Sequence, residues 1–227
     1  MLEQNLLNEI EKISKRKIHS FEQYHNAQQI SWKRKQRVYG TTIEKKKINR
    51  PEHWKKNNMH NPYYVLKHSK EIAHSVFKKL ITESYKPLEP FIRQIPKKDS
   101  SEHRNVNIFQ IPDEAVSYLV YSKLLQKNKH RLSSFSYAYR NDRNVHFAIQ
   151  DIALDMRDTP RIYIAEFDFK DFFGSINHSF IINQYDKNGF MISKFERYII
   201  QQFLEMNINL KDGESYRGIA QGTSISL

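Results

Sequence analysis

The hexapeptide IYIAEF at residues 162–167 constrains the fold most, because its apolar residues alternate instead of recurring every three to four positions. Ile162, Ile164 and Glu166 fall on one face of an extended chain, and Tyr163, Ala165 and Phe167 on the other. That period predicts a buried strand with Asp168 at its end. Two further stretches carry β signals. Residues 91–111, FIRQIPKKDSSEHRNVNIFQI, place short apolar runs on either side of a polar tip, as a hairpin does. Residues 208–218, INLKDGESYRG, carry Asp-Gly between alternating residues, the signature of a two-residue turn. Residues 134–140, SFSYAYR, read as strand-like or extended.

Helical spacing fills the intervals. Leu2, Leu6, Leu7, Ile10 and Ile13 predict an amphipathic helix over 1–18, closed by the KRK run at 15–17. Further helices are expected over 63–84, 113–127, 144–157 and about 178–206, the last broken near Asn188-Gly189. Pro87 and Pro90 force extended backbone before the first hairpin. Leu, Ile, Val and Phe make up about a quarter of the chain, above the roughly 20% floor below which a charged chain stays disordered. The order of elements predicts an α+β fold with a mostly antiparallel sheet and packed helices.

The formal charge is +12, and it is unevenly spread. Residues 1–60 carry a net +8, residues 61–160 a net +5 and residues 161–227 a net −1. A basic front and a near-neutral back point to a polyanion-gripping portion joined to one that needs carboxylates. Phosphates would dominate such an affinity, which should fall steeply with salt. A solvated lysine-rich surface is the competing reading, since 24 of the 37 cations are Lys. Within residues 20–60 the basic clusters alternate with Tyr24, Trp32, Tyr39 and Trp54. These rings either stack on bases or anchor a surface arm to the core. The chain has no cysteine, which excludes disulfides, thiolate metal sites and thiol nucleophiles. It has no apolar run approaching the ~20 residues of a bilayer span and no signal-peptide block, so a soluble, cytoplasmic chain with no membrane partner is expected.

Three segments carry chemistry. In AEFDFKDFFGSINH, residues 165–178, Asp168 is either an oxygen ligand for Mg²⁺ or a cap before residues 169–173. In RGIAQGTSISL, residues 217–227, two glycines permit close backbone approach and Gln221 offers a donor and an acceptor. That segment equally suits a polar turn entering a helix. In IPKKDSSEHR, residues 95–104, Lys97, Lys98 and Arg104 surround a loop tip that could close over a triphosphate. Asp171 reads as a solvated helix-start carboxylate, and His178 as support for a turn.

Together and in this order, these motifs resemble the reverse transcriptases. Asp168 and Phe173 in FDFKDFFGSINH are similar to the family's first palm motif, Asp-x-x-x-x-(Phe/Tyr), followed by the Ile-x-His of bacterial members. AQGTSIS resembles the next motif, usually (Pro)-Gln-Gly-x-x-x-Ser, and IPKKDSSEHR resembles the fingers hairpin. FSYAYRNDRNVHFAI at 135–149 is similar to a segment of group II intron and retron-type enzymes. The likeness runs from about residue 85 to the last residue.

The resemblance implies right-hand polymerase fingers and a partial palm: a basic helical extension over 1–60, fingers over 61–160 and an incomplete palm over 161–227. It implies RNA-templated DNA synthesis from dNTPs by a two-Mg²⁺ mechanism, with an RNA template and a DNA primer or product as partners. Asp168 would be the catalytic metal ligand, joined by the Phe169 carbonyl. Phe173 would be the gate against a 2′-hydroxyl, Gln221 and Gly222 would line the nucleotide pocket, and Lys97 and Arg104 would hold the triphosphate. Arg140 and Arg143 would track template phosphates.

The departures carry expectations too. No FADD- or YADD-like string occurs, so the chain is expected to be the N-terminal part of a longer polymerase, or a truncated or split product, and inactive by itself. A C-terminal remainder of the polymerase and a cognate structured RNA are its expected further partners. Ala220 in place of Pro, and Ser-Tyr-Ala-Tyr-Arg in place of the Gly-Phe-Arg version, shift the likeness towards retron-like or antiviral-defence enzymes. Competing readings are an RNA-dependent RNA polymerase, disfavoured by the aromatic at Phe173, and a non-catalytic RNA-binding module that keeps the palm fold.

Overall fold

The computed structural model describes residues 2–40, 43–45, 47–96, 101, 103–158, 161–169, 172–187, 189–206, 217–220 and 222–226. They form two compact units, residues 1–119 and 120–227. The described residues are mostly helical, with one small antiparallel sheet, as an α+β fold requires.

The first unit is built on α1 (Glu3–Tyr39). The expected stop at residues 15–17 does not occur: no Gly or Pro interrupts residues 3–39, and the helix runs on until Gly40 takes φ 88. Its first half buries Leu6, Ile10, Ile13 and Ser14 against α3 (Pro62–Lys67) and α4 (Ser69–Ile81). Short α2 (Glu52–Lys56) precedes them and buries Trp54. The single helix expected over 63–84 is split at His68, whose φ −109 and ψ 22 leave the helical region. Asn61 caps the start of α3 by accepting from the Tyr63 amide at 3.1 Å, with Pro62 in the first helical position.

The hairpin forms as expected. Strands β1 (Phe91–Pro96) and β2 (His103–Ile108) pair antiparallel, with Phe91 opposite Ile108 and Pro96 opposite His103. Its flanks are fixed from α5 (Ile111–Asn128), where buried Asp113 accepts from the Tyr85 hydroxyl at 2.7 Å and the Leu88 amide at 3.1 Å. One carboxylate thereby ties the extended run before the hairpin to the helix after it.

In the second unit, α6 (Val145–Met156) starts at an Asn144 cap, and α7 (Phe172–Ser175) is a single turn. The predicted helix pair is present as α8 (His178–Lys187) and α9 (Lys194–Leu204). Helix α9 buries Ile199, Ile200, Phe203 and Leu204, and it begins with a capping box between Ser193 and Glu196. Lys127 donates to both Glu196 oxygens at 2.7 and 2.8 Å, and Asn128 both donates to and accepts from the Met191 backbone. An apolar cavity of about 300 Å³ lies between these elements, lined by Tyr121, Leu125, Tyr139, Tyr185, Phe190 and Ile200.

Two β expectations fail. Residues 162–167 form no strand and pair with none among the described residues, and Tyr163 and Phe167 are 93% and 92% exposed. Alternation specifies two faces without supplying a neighbour to pair with. Residues 134–140 form turns instead of a strand. Tyr139 there takes φ 57, its carbonyl accepting from the Tyr121 hydroxyl at 2.7 Å. The hairpin expected at 208–218 lies almost wholly outside the described residues.

Candidate active site

Asp168 follows residues 162–167 and is exposed, its Oδ1 accepting from the Phe169 amide at 2.9 Å. Exposure replaces the burial expected of the strand that would have delivered it. Phe169 is exposed as well and packs on Phe172, with ring centroids 5.8 Å apart. Phe172 in turn meets Phe173 edge to face at 5.3 Å. Phe173 is half-buried in α7.

The backbone around Phe173 is fastened to the segment that leads into Gln221 and Gly222. The Ile219 amide donates to the Phe173 carbonyl at 2.8 Å, and the Gly218 amide donates to the Ile176 carbonyl at 2.8 Å. Asn177 and Arg217 form an antiparallel bridge. Buried His178 places Nε2 2.6 Å from the Gly218 carbonyl. Gly218 itself takes φ +89, and a Cβ there would lie 3.3 Å from the Gly174 carbonyl oxygen. A glycine is required twice over at this point, by conformation and by space. Gly222, at φ 124, is also in glycine territory. The two sequence motifs, remote in the chain, are neighbours here.

The remaining predicted residues are placed unevenly. Arg140 is consumed locally: its guanidinium pairs with Asp142 through two bonds, at 3.0 and 2.7 Å, and donates to the Ser133 carbonyl at 2.9 Å. This pairing holds the Asp142 carboxyl down at about 2. Arg143 donates to the Ser134 carbonyl, faces Asp151 at 3.9 Å and lies over the Tyr137 ring. Arg104 is on β2 opposite Ile95 in the first unit. Lys97 and Gln221 lie outside the described residues. His178, read from the sequence as support for a turn, meets the Gly218 carbonyl, a contact whose one sequence signal is the Ile-x-His pattern after the Gly-Ser turn.

The donor set at residues 168–169 is a carboxylate and a main-chain carbonyl, both hard oxygens at an accessible position. It fits Mg²⁺, which takes one or two carboxylates and relies on substrate phosphates for further oxygens. Among the described residues no three His, Asp or Glu side chains converge on one point.

The aspartate-to-aromatic turn is thus bonded, through Phe173, Ile176 and Asn177, to residues 217–219. The family model described as reverse transcriptase (RNA-dependent DNA polymerase) matches residues 95–227, more than half of the chain. The protein belongs to this family, whose activity is RNA-directed DNA synthesis and whose members act on an RNA template, a DNA primer and dNTPs with a divalent metal. A comparison with curated proteins gave no match. Among the described residues no helix is long and apolar enough to cross a membrane.

Proposed function

We propose that this chain carries the nucleotide-selecting part of an RNA-directed DNA polymerase, with Asp168 as the catalytic metal ligand. The observation that supports it most is the pair of backbone bonds joining Phe173 and Ile176 to Ile219 and Gly218. They fix the aromatic gate beside the segment carrying Gln221 and Gly222, so one rigid unit would present both to an incoming sugar. Asp168 and the Phe169 carbonyl would hold Mg²⁺, which when bound offsets charge on the triphosphate and activates a primer hydroxyl. Phe173 excludes the 2′-hydroxyl by volume. Gln221 and Gly222 line the pocket, while Lys97 and Arg104 neutralise the phosphates from the fingers hairpin. Arg143, held over Tyr137, tracks template phosphates; Arg140 contributes by shaping the loop that carries it.

The fingers over 61–160, the partial palm from 161 and the basic extension over 1–60 complete this reading. Ala220 before Gln-Gly and the Ser-Tyr-Ala-Tyr-Arg segment favour a retron-like or defence-associated enzyme. The net +13 of residues 1–160 supports a second reading, an RNA-binding module without catalysis. Metal mapping separates the two. Fe²⁺ in place of Mg²⁺, with ascorbate and peroxide, should cut the backbone near residues 168–169 when a dNTP is present. Asp168→Asn should abolish the cut, and a cut that ignores both dNTP and substitution would reject the catalytic reading.

A further inference from the structure

Helix α1 continues far beyond the part that the core uses. Its buried residues end at Ser14, yet the helix runs to Tyr39. One side of this second half is covered, because Ile43, Lys45 and Ile48 fold back against it. The Trp32 indole donates to the Ile43 carbonyl at 3.0 Å, Lys45 lies over the Trp32 ring, and Gln28, Gln29 and Lys35 line the cleft between.

The opposite side is bare. At 100° per residue, Gln23, Asn26, Ile30, Lys33, Arg34 and Arg37 share it, and all six are exposed. Among the described residues none of its three cations meets a carboxylate, whereas Lys12, Lys15, Arg16 and Lys17 of the first half are each paired with a Glu. The face is therefore cationic towards its C-terminal end, carries two amides towards its N-terminal end, and is about 20 Å long at 1.5 Å per residue.

We infer that this face is a docking surface for a duplex stem of RNA. It lies outside the region matched by the family model and outside every residue the nucleotidyl-transfer reading uses. Unpaired cations in a rigid row complement a phosphodiester backbone. The face holds no aromatic ring: Trp32 and Trp54 are spent on packing, and Tyr24 and Tyr39 project from other sides of the helix. Single-strand binding relies on rings that stack with bases, so the missing platform favours a duplex. Its one large apolar side chain, Ile30, is aliphatic and 65% exposed, and can lie against ribose carbons without offering a stacking plane. The two amides favour RNA over DNA, since Gln23 and Asn26 each offer a donor and an acceptor to a 2′-hydroxyl.

The test is fluorescence anisotropy of the full chain with a labelled RNA stem-loop, without metal or dNTP, so that failure of the polymerase reading leaves this result untouched. K33Q/R34Q/R37Q keeps helix-compatible side chains, and circular dichroism verifies that it folds. It should weaken binding at least about tenfold and make the salt dependence shallower by roughly two to three units of slope between about 50 and 200 mM salt. K12Q/K15Q, whose cations are already paired, should bind as the unaltered chain does. Replacing Gln23 and Asn26 with Ala should narrow the preference for the RNA stem over a DNA duplex of the same sequence. Unchanged affinity and slope in the triple variant would overturn the inference. So would a DNA duplex or an unstructured RNA binding as tightly as the stem, or an acidic peptide displacing it at equal charge.

Discussion

The main-chain amide of Ile219 bonds to the main-chain oxygen of Phe173 at 2.8 Å, and this bond exists because Gly218 beside it has no side chain. Any Cβ at Gly218 would enter at φ +89 and press to 3.3 Å against the Gly174 carbonyl oxygen. Gly218→Ala should therefore cost about 1–3 kcal/mol in denaturant unfolding of the second unit. It should also speed hydrogen exchange at the Gly218 and Ile219 amides. Unchanged protection at both amides would contradict the docked arrangement.

Phe173→Ala should relax sugar selection. The ring is half-buried and braced edge to face by Phe172, so truncation opens space without exposing a charged group. Loss of a steric block of this size is expected to raise the relative use or binding of ribonucleoside triphosphates by about ten- to a hundredfold. The ratio of dissociation constants for matched rNTP and dNTP reports it. The deoxy form should lose little affinity, because its phosphate contacts lie elsewhere.

Two titrating groups of the first unit, Asp113 and His53, have opposite linkage. Burial pushes the Asp113 carboxyl up to about 6, although the Tyr85 hydroxyl and the Leu88 amide oppose that shift. Burial, with His60, Lys17 and Arg93 nearby, drives His53 down to about 4. A raised carboxyl favours the folded state below its ordinary pKa of 3.8, and that benefit is lost as pH rises to about 6. A depressed imidazole favours the folded state above 6.5, and that benefit is lost as pH falls to about 4. Between those limits the two slopes oppose and these two contributions largely cancel, with His60, which burial also pushes down, adding to the His53 side. Asp113→Asn should make stability fall on acidification, and His53→Gln should make it rise. The Asp113 contribution is about 3 kcal/mol at most, at ~1.4 kcal/mol per pKa unit. Urea melts across that range measure all three slopes.

Much of the fold was legible because local signals agreed with tertiary needs. Phe91–Pro96 and His103–Ile108 pair as their apolar runs required, and the break near Asn188-Gly189 separates α8 from α9. The failures share a cause. Residues 162–167 carry a strand's pattern, but pairing depends on a neighbour that no local pattern encodes. SYAYR looks extended until the Arg140 guanidinium gathers the Ser133 and Ser136 carbonyls into a turn. KRK at 15–17 resembles a helix end, yet Glu11 and Glu114 absorb its charges and the helix continues. At the candidate site, the bond between Phe173 and Ile219 was not legible, since it joins main-chain groups far apart in the chain.

The pair formed by Lys127 and Glu196 should show an asymmetric response to removal of either partner. Glu196 keeps 5% of its side-chain surface exposed and Lys127 keeps 39%. Burial raises the Glu196 carboxyl, but Lys127 and Ser193 outweigh that and leave it below the ordinary range. Lys127→Met strands a buried carboxylate on Ser193 alone, and should cost about 2–4 kcal/mol near neutral pH. Glu196→Gln leaves a half-exposed ammonium that water can solvate, and the amide still closes the capping box with Ser193; about 1 kcal/mol is expected. The depressed carboxyl stabilises the fold above its ordinary pKa, and this is lost as pH falls. The deficit of Lys127→Met should therefore shrink steeply in acid, as Glu196 becomes neutral, while that of Glu196→Gln, smaller at the outset, shrinks only by the part that the depressed carboxyl contributed. Equal deficits at neutral pH, parallel in acid, would mean that the carboxylate is solvated in the folded chain.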